Sequence, residues 1–187
     1  MKSVLICDDE PVIRQGLKAM LKDLGFDEIH ESVDGIAAVS AALEKIPDII
    51  IMDVSMPKKD GITAAAEIRQ KLKVPVIFLT ACHDPDVVAR AVKVGIAAFL
   101  TKPVRSDELW PAIELAFAHN DEVENLKEQV NDLKETIESR KVIEKAKGLL
   151  MKNLSLSEPE AFRKMQKLAM DKRKSLRQIA EAILLTE

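Results

Sequence analysis

The sequence predicts an α/β fold with a doubly wound, five-stranded parallel sheet, followed by a coiled-coil helix and an all-α three-helix bundle. Within residues 1–118, five predicted strands alternate with five predicted helices. Connections of that length between successive strands are helical crossovers, which require the strands to be parallel. After Asn120 the apolar residues recur in heptads and then in shorter helical stripes, which indicates helices alone.

Each element of the first domain follows from its own local pattern. Apolar runs predict strands at 4–7, 49–53, 74–80 and 97–101, and a weaker pattern predicts a strand at 28–32. The periodic stretches that predict helices lie at 12–24, 33–46, 61–72, 86–94 and 106–118. Gly25 should end the first helix as a C-cap, and Pro75 lies near a strand start, where its missing N–H is tolerated. The flavodoxin-like order 2-1-3-4-5 would place strands 1 and 3 side by side at the topological switch point.

The predicted central strand ends in a carboxylate. The run Ile49-Ile50-Ile51-Met52 is apolar on both faces, as expected for an internal strand of a parallel sheet, and Asp53 follows it. Ligands of open α/β sheets bind at the carboxyl ends of the strands. In the predicted order, polar residues from several strand ends therefore share one crevice. They are Asp8, Asp9, Asp53, Thr80 and Lys102. The structural alternative is that Asp53 only caps the turn that follows it.

The three aspartates indicate a magnesium site. Like charges at a few ångströms repel strongly in a partly dry crevice, and a divalent cation removes that repulsion. Oxygen ligands suit Mg²⁺, which keeps several waters and recruits a phosphate oxygen. Asp53 would then be a carboxylate nucleophile toward a phosphoryl group, with positive charge from Lys102 and a hydroxyl donor from Thr80. We also expect a cis peptide bond at Lys102-Pro103.

Together these residues resemble the receiver domain of two-component response regulators. The resemblance covers residues 1–119 and rests on motifs at the family's order and spacing. They are Asp8-Asp9, Asp53, Met56-Pro57, Asp60-Gly61, Thr80-Ala81 and Lys102-Pro103. The resemblance implies that Asp53 is the phospho-acceptor and that Asp9, Asp53 and the backbone carbonyl of Ser55 bind Mg²⁺. Asp8 would bind the ion through a water molecule or lie just outside the direct ligands.

The same resemblance implies a switch and a partner. Phe99 occupies the position of the family's switch aromatic, which turns inward when Thr80 moves toward the phosphoryl group. The structural alternative for Phe99 is plain core packing. The implied partner is a sensor histidine kinase. The chain would not itself be an enzyme, beyond Mg²⁺-dependent acceptance of a phosphoryl group and slow self-dephosphorylation.

Residues 120–139 have the pattern of a coiled-coil linker. Their apolar residues step by 3, 4, 3 and 4 positions, with charged or amide side chains between them. The seam consists of Val123, Leu126, Val130, Leu133 and Ile137. It predicts a homodimer that forms on phosphorylation, and the alternative is a helix lying against its own domain. At Arg140 the seam ends, and an apolar stripe resumes out of phase at Val142.

Residues 140–187 predict a minimal three-helix bundle. Capping-box sequences at 157–160 and 175–178 each start a helix, and we expect Phe162 and Met165 inside the bundle. This region carries 12 Lys and Arg against 6 Asp and Glu, whereas residues 1–139 carry 16 against 25. Such a basic excess favours a polyanionic partner.

This bundle resembles the ANTAR domain of transcription antitermination regulators over residues 135–187, with its first helix continuous with the linker. The carrying segments are 140–151, with Ala146-Lys147-Gly148, then 160–162, 169–171 and 176–180. The resemblance implies that a dimer binds paired RNA hairpins in a nascent transcript and prevents termination. Because Lys and Arg meet phosphates and loop bases, the predicted RNA contacts are Lys141, Lys147, Arg173, Lys174 and Arg177. The alternative for 172–174 is a solvated helix end.

Composition favours a cytoplasmic protein without a membrane partner. No apolar run approaches the roughly 20 residues needed to span a bilayer. Met1-Lys2-Ser3 leads directly into a strand, without a signal-peptide pattern. Cys7 and Cys82 have neither disulfide nor metal spacing, which indicates reduced thiols.

The favoured function is a phosphorylation-activated, RNA-binding antiterminator, and two alternatives compete with it. In the first, the C-terminal helices bind duplex DNA as a helix-turn-helix, although the last helix offers only Arg177 and Gln178 to base edges. In the second, the chain is a dimerising signalling adaptor with no nucleic-acid target. Binding to an RNA hairpin and to duplex DNA, measured across salt concentrations, separates the three.

Overall fold

The computed structural model describes residues 2–81 and 85–185, and within them the chain divides into two compact units between Glu124 and Asn125. The strands are Lys2–Cys7 (β1), Phe26–Ser32 (β2), Ile49–Asp53 (β3), Val76–Thr80 (β4) and Ala98–Thr101 (β5). The helices are Pro11–Asp23 (α1), Gly35–Lys45 (α2), Gly61–Arg69 (α3), Pro85–Val94 (α4), Ser106–Leu154 (α5), Glu158–Lys172 (α6) and Leu176–Leu184 (α7). Cys82, for which we predicted a reduced thiol, lies outside the described residues.

The five strands form one parallel sheet in the order β2-β1-β3-β4-β5, which confirms the predicted topology. β3 lies between β1 and β4, with Ile50 opposite Leu5 on one side and Val76 on the other. Because β1 and β3 are adjacent and parallel, their carboxyl ends bring Asp8 and Asp53 to the same edge of the sheet.

β3 is buried from end to end because helices cover the sheet on both faces. Ile50 and Met52 pack into a core with residues of α2, α3 and α4. Ile49 and Ile51 pack on the opposite face, into a core with α1 and the beginning of α5. A strand that is covered on both faces needs a continuous apolar run, which is why its sequence does not alternate.

Caps decide several element ends. The Asp34 side chain accepts a hydrogen bond from the Ala37 N–H at 2.8 Å, so α2 begins at Gly35 and not at residue 33 as predicted. Gly25 follows α1 with a φ of +83° and donates its N–H to the Lys22 carbonyl, which confirms the predicted cap. β2 begins at Phe26, two residues earlier than predicted, because this buried side chain packs into the α1 and α5 core.

α5 is a single helix of 49 residues. The sequence predicted a helix at 106–118 and a coiled-coil helix from residue 120, and the structure joins the two. Between Pro111 and Gly148 the sequence contains neither glycine nor proline, so this stretch has no helix-breaking residue. α5 therefore includes the last helix of the first unit, the heptads, and the first helix of the second unit.

The second unit packs α6 and α7 against the end of α5. Its fully buried residues are Ala146, Ala161, Met165 and Ala180. At the start of α7, Ser175 and Gln178 exchange hydrogen bonds of 3.0 and 3.2 Å, which confirms that capping box. Phe162, predicted inside the bundle, is 36% exposed. Met165 and Ala161, one turn apart, occupy the buried stripe of α6, so Phe162 points away from it.

Among the described residues, no helix has both the length and the apolar character that crossing a membrane requires.

Candidate functional site

Three aspartates meet at the carboxyl edge of the sheet. Asp8 follows β1 and is fully buried, Asp53 ends β3 and is 5% exposed, and Asp9 is exposed. Each carboxylate offers an oxygen within 4.8 Å of the other two. The parallel register of β1 and β3 thus produces the acidic crevice that the sequence predicted.

Lys102 lies among these acids. Its Nζ is 2.7 Å from Asp53 Oδ2, 2.8 Å from Asp8 Oδ2 and 3.2 Å from Glu10 Oε1. Burial alone would lower the pKa of the ammonium, but the contacts with Asp53 and Asp8 outweigh burial and raise the pKa of Lys102. Lys102 is therefore a permanent positive charge in the crevice. The Lys102-Pro103 peptide bond is cis, as predicted.

Both oxygens of Asp53 are held in place. The Ser55 N–H donates to Oδ1 at 3.2 Å, and Lys102 donates to Oδ2 at 2.7 Å. Burial raises the pKa of the Asp53 carboxyl above its ordinary value, and the contacts with Lys102 and Ser55 oppose that rise. The carboxylate is thus partly dry and oriented, which suits a group that must react with one defined oxygen.

The donor set of the crevice fits a magnesium ion. Asp8 Oδ2 is buried, and the Lys102 ammonium lies 2.8 Å from it. One ammonium does not neutralise three neighbouring carboxylates, so a divalent cation would be a favourable addition to the crevice. With oxygens of Asp9 and Asp53 within 4.8 Å, the three acids form the oxygen-only group that Mg²⁺ prefers.

The loop between β3 and α3 approaches the strand so closely that only glycine fits at its end. The Gly61 N–H donates to the Val54 carbonyl at 2.9 Å, and a Cβ on Gly61 would lie 2.0 Å from the Asp53 carbonyl oxygen. The same loop is tied to α2, because Lys58 Nζ lies 2.6 Å from Asp34 Oδ2. These contacts hold the loop that carries the Ser55 carbonyl.

Thr80 and Phe99 lie on the strands beyond β3. Thr80 ends β4 and is buried, and its carbonyl accepts a 2.9 Å hydrogen bond from the Lys102 N–H. The Phe99 ring lies 6.0 Å from the Phe78 ring, centroid to centroid, and packs against the core on the α2 to α4 face. Phe99 is only partly buried, so it has both a core contact and an exposed side.

Two further residues at this edge were not predicted from the sequence. The Arg14 guanidinium donates to the carbonyl oxygens of Asp8 and Asp9, at 2.9 and 3.2 Å, and so holds the loop that carries both acids. The Glu10 N–H donates to Asp8 Oδ1 at 2.9 Å, and its carboxylate pairs with Lys102. The sequence signal that could have indicated Arg14 is a basic residue in the first turns of α1, directly after an acidic turn.

Four of the five predicted RNA contacts are exposed in the second unit. They are Lys141, Arg173, Lys174 and Arg177. Arg173 ends α6 in the left-handed region, with a φ of +50°, and neither it nor Lys174 has an ion-pair partner among the described residues. Arg177 is engaged, because it donates to Glu181 at 2.9 Å and lies 3.4 Å from the Ser139 hydroxyl.

Lys147 differs from the other four. It is 8% exposed, and its Nζ lies 2.7 Å from both Glu144 and Glu158. These two contacts raise the pKa of Lys147. An ammonium shared between α5 and the start of α6 stabilises the bundle, so Lys147 has a structural role and is the least exposed of the five predicted RNA contacts.

The heptad residues form an apolar row on α5. Leu126, Val130, Leu133 and Ile137 are exposed in the single chain, and Val123 is partly buried. An exposed row of large apolar side chains at heptad spacing is typical of a surface that pairs with another helix.

Comparison with known proteins agrees with both units. A family model described as the response regulator receiver domain matches residues 4–114, and one described as the ANTAR domain matches residues 131–184. The transcriptional regulatory protein PdtaR of Mycobacterium tuberculosis is 43% identical over 185 residues, covering 99% of this chain and 90% of that protein. The chemotaxis protein CheY of Bacillus subtilis is 35% identical over 59% of this chain and 92% of that protein.

Solved structures match the first unit. The signal receiver domain of a modulated diguanylate cyclase from Desulfovibrio desulfuricans G20 has a TM-score of 0.61 and 31% identity, covering 65% of this chain and 97% of that one. Its match accords with the parallel sheet of the first unit. The chain therefore belongs to the response regulator family, with a receiver domain followed by an ANTAR domain.

Proposed function

We propose that the chain is a phosphorylation-activated response regulator that dimerises and binds RNA hairpins in nascent transcripts, preventing transcription termination. One observation carries the proposal: the chain combines a receiver domain that has the aspartate crevice with a basic ANTAR domain. We assign the receiver to residues 1–119, the coiled-coil linker to 120–139 and the RNA-binding domain to 135–187. The relationship to a transcriptional regulatory protein supports an output in gene expression.

In this proposal a sensor histidine kinase is the phosphoryl donor and Asp53 the acceptor. A carboxylate oxygen of Asp53 forms the new bond to phosphorus, and the bond from phosphorus to the donor nitrogen breaks. The Lys102 ammonium, already 2.7 Å from Asp53, pairs with the phosphoryl oxygens, and Thr80 donates its hydroxyl to one of them. The chain accepts the group and later loses it by slow hydrolysis, and it does not turn over a substrate.

Asp9, Asp53 and the Ser55 carbonyl would hold Mg²⁺, with Asp8 acting through a water. Bound there, the ion supplies the charge that offsets repulsion between the acids and an incoming phosphoryl group. The support for this assignment is the group of three carboxylates with oxygens within 4.8 Å of one another, of which Asp8 and Asp53 are buried.

Replacing Asp9 with alanine should weaken Mg²⁺ binding and leave the acceptor in place. Asp9 is exposed, so its loss should not unfold the domain, but it removes one charged ligand. We expect the Mg²⁺ concentration for half-maximal beryllofluoride binding to rise about tenfold or more, a loss of at least roughly 1.4 kcal/mol. A titration followed by ¹⁹F NMR measures it. An unchanged Mg²⁺ requirement would remove Asp9 from the ligand set.

The signal would pass from the phosphoryl group to the dimer. Thr80 moves toward the phosphoryl oxygens, and Phe99 turns into the space beside it, which changes the surface of β5 and its neighbours. The heptad row from Val123 to Ile137 then pairs with the same row of a second copy. A dimer presents two RNA-binding domains, so it can hold two hairpins at once.

The RNA surface that we propose contains Arg173 and Lys174 at the end of α6, with Arg177 and Lys141 beside them. Replacing Arg173 and Lys174 together with alanine should lower RNA affinity and flatten its salt dependence. Each lost contact between an ammonium or guanidinium and a phosphate reduces the slope of log affinity against log salt concentration by about 0.7 to 0.9. Both residues are exposed and free of ion pairs among the described residues, so the fold should survive.

Filter binding of a hairpin RNA, from about 50 to about 300 mM salt, measures this slope. The control is the double replacement of Lys22 and Lys71 with alanine, which removes the same charge from exposed positions of the receiver domain. If the Arg173 and Lys174 variant binds like the parent with the same slope, the basic residues are a solvated helix end.

The experiment that tests the proposed function compares an RNA hairpin with duplex DNA across salt concentrations. We expect specific retention of the hairpin by the activated protein and only weak, salt-sensitive binding of DNA. A helix-turn-helix would read base edges from α7, which offers only Arg177 and Gln178, and the Gln178 side chain already accepts a hydrogen bond from the Ser175 N–H in the capping box. Equal or tighter DNA binding would support the DNA-binding alternative, and no binding to either would support the adaptor.

A further inference from the structure

α5 contains a glycine that no contact among the described residues explains. Gly148 lies in the helix interior and is exposed, and a Cβ built on it meets nothing within 4 Å. Glycine in a helix interior is less favourable than alanine, because the unfolded chain has more backbone freedom to lose. Since the described residues leave open space beside Gly148, another molecule can approach the helix backbone closely at this point.

Three lysines surround this glycine on the same face of α5. Lys141 lies seven residues before Gly148, Lys145 lies three residues before it, and Lys152 lies four residues after it. At 3.6 residues per turn, the four positions fall within an arc of about 60° and extend over about 16 Å. All four residues are exposed. We refer to these three lysines with Gly148 as the lysine row.

The charges of the lysine row are largely available. Among the described residues, neither Lys145 nor Lys152 has an ion-pair partner. Lys141 lies 2.8 Å from Glu138, but both side chains are about 60% exposed, and pairs of this kind are weak and screened by salt. The neighbouring Lys147 belongs to the opposite side of the helix, where it pairs with Glu144 and Glu158.

We propose that the lysine row binds the phosphate backbone of the RNA hairpin, with Gly148 as the point of closest approach. Without a side chain at Gly148, a phosphate can reach the helix surface, while ammonium groups on both sides neutralise its neighbours. This inference rests on the proposed RNA-binding function. It extends the RNA surface along α5 and adds Lys145, Gly148 and Lys152 to the Lys141 contact already proposed there.

Charge favours RNA over a second copy of the chain as the occupant. A second copy packed on this face would bring three more lysines against the same three, and like charges opposed at an interface are unfavourable. The apolar residues of the heptad seam, Leu126 to Ile137, offer a surface for the second copy instead. A polyanion meets no such repulsion and gains from release of its counterions.

Gly148→Ala is the most selective test, because stability and binding should change in opposite directions. The added methyl group clashes with none of the described residues, so the melting temperature should rise by about 4 °C. The same methyl group would separate the RNA from the helix, so affinity for the hairpin should fall roughly tenfold. Both are measured on the full chain activated with Mg²⁺ and beryllofluoride.

Gly16→Ala is the matched control. Gly16 lies in α1, is exposed, and also has nothing within 4 Å of a built Cβ. Its neighbours along the helix face are Val12, Ile13, Ala19 and Met20, with no lysine among them. This variant should gain similar stability and bind the hairpin like the parent.

Lys145→Ala combined with Lys152→Ala gives a second, independent measurement. It should flatten the salt dependence of hairpin binding by about 0.7 to 0.9 log units per log of salt for each phosphate left without its lysine. The Lys22 and Lys71 double variant again controls for total charge. The lysine row is overturned if both this variant and Gly148→Ala bind like the parent while the parent binds RNA.

Two other outcomes would also overturn the inference, and they are distinguishable. If Gly148→Ala abolishes dimerisation in sedimentation, the glycine faces a second copy and not RNA. If the parent chain binds no RNA hairpin at all, the proposed function fails, and the lysine row fails with it. Loss of binding only in the Arg173 and Lys174 variant would keep the proposed function and reject the row.

Discussion

Replacing Asp53 with asparagine is expected to abolish phosphorylation completely. Asparagine keeps the shape of the side chain, and its amide oxygen can still accept from the Ser55 N–H or from Lys102. It lacks the carboxylate that forms the bond to phosphorus, so no positioning by Lys102 or Thr80 can compensate. The expected result is no incorporation from a small phosphodonor and no beryllofluoride binding at saturating Mg²⁺.

Asp48→Asn is the control for this variant. Asp48 lies just before the other end of β3, where its carboxylate accepts from the Ser3 N–H at 2.6 Å. The Asp48→Asn substitution removes the same charge near the same strand but far from the crevice, so phosphorylation should be unchanged. Intact-mass measurement of the phosphorylated chain and ¹⁹F NMR of bound beryllofluoride give two independent readouts. Undiminished binding by Asp53→Asn would disprove the site assignment.

Replacing Leu133 with glutamate should leave the activated protein monomeric. Leu133 is 63% exposed in the single chain, at the centre of the heptad row. In a paired coiled coil it would be a core position, and two buried, unpaired carboxylates there would cost several kcal/mol, on the order of the whole stability of a short seam. Sedimentation velocity of the beryllofluoride complex at micromolar concentration measures the oligomeric state.

Asn131→Glu provides the matched control for Leu133→Glu. Asn131 is exposed and lies two residues away in the same helix, outside the heptad seam. It adds the same negative charge without placing it between the helices, so the dimer should persist. A dimer that survives Leu133→Glu would move the interface from the linker to the receiver domain.

The receiver fold and its acidic crevice were predictable because local patterns determine them. The apolar run of β3 must be covered on both faces, and the short crossovers leave few topologies for a five-stranded sheet. Once β1 and β3 are neighbours, Asp8 and Asp53 have to meet at one edge. The position of Lys102 at the end of β5 places it close to the same crevice.

The contacts that the sequence did not predict join residues that are distant along the chain or involve the backbone. Lys58 and Asp34 are 24 residues apart, and no periodicity indicates that the loop after β3 would be tied to α2. Arg14 acts on backbone carbonyls, which leave no trace in a side-chain pattern.

In the second unit, the hydrophobic periodicity predicted the helices, but it did not predict for every helix which side chains face the core. Phe162 was assigned to the core because it is large and apolar, whereas the buried stripe passes through its neighbours Ala161 and Met165. Lys147 was assigned to RNA for its charge, and its burial depends on Glu144 and on Glu158 of the next helix. The direction of a side chain on a helix is decided by what packs against it, and a single sequence does not display the packing.

The most direct measurement of the central claim is the affinity of the full chain for an RNA with two hairpins, with and without Mg²⁺ and beryllofluoride. Phosphorylation should create a dimer whose second contact is intramolecular, so affinity for the paired hairpins should rise by about 10². An RNA with one hairpin should show little or no gain. If beryllofluoride is bound at Asp53 and the affinity for paired hairpins does not change, RNA binding is not gated by phosphorylation.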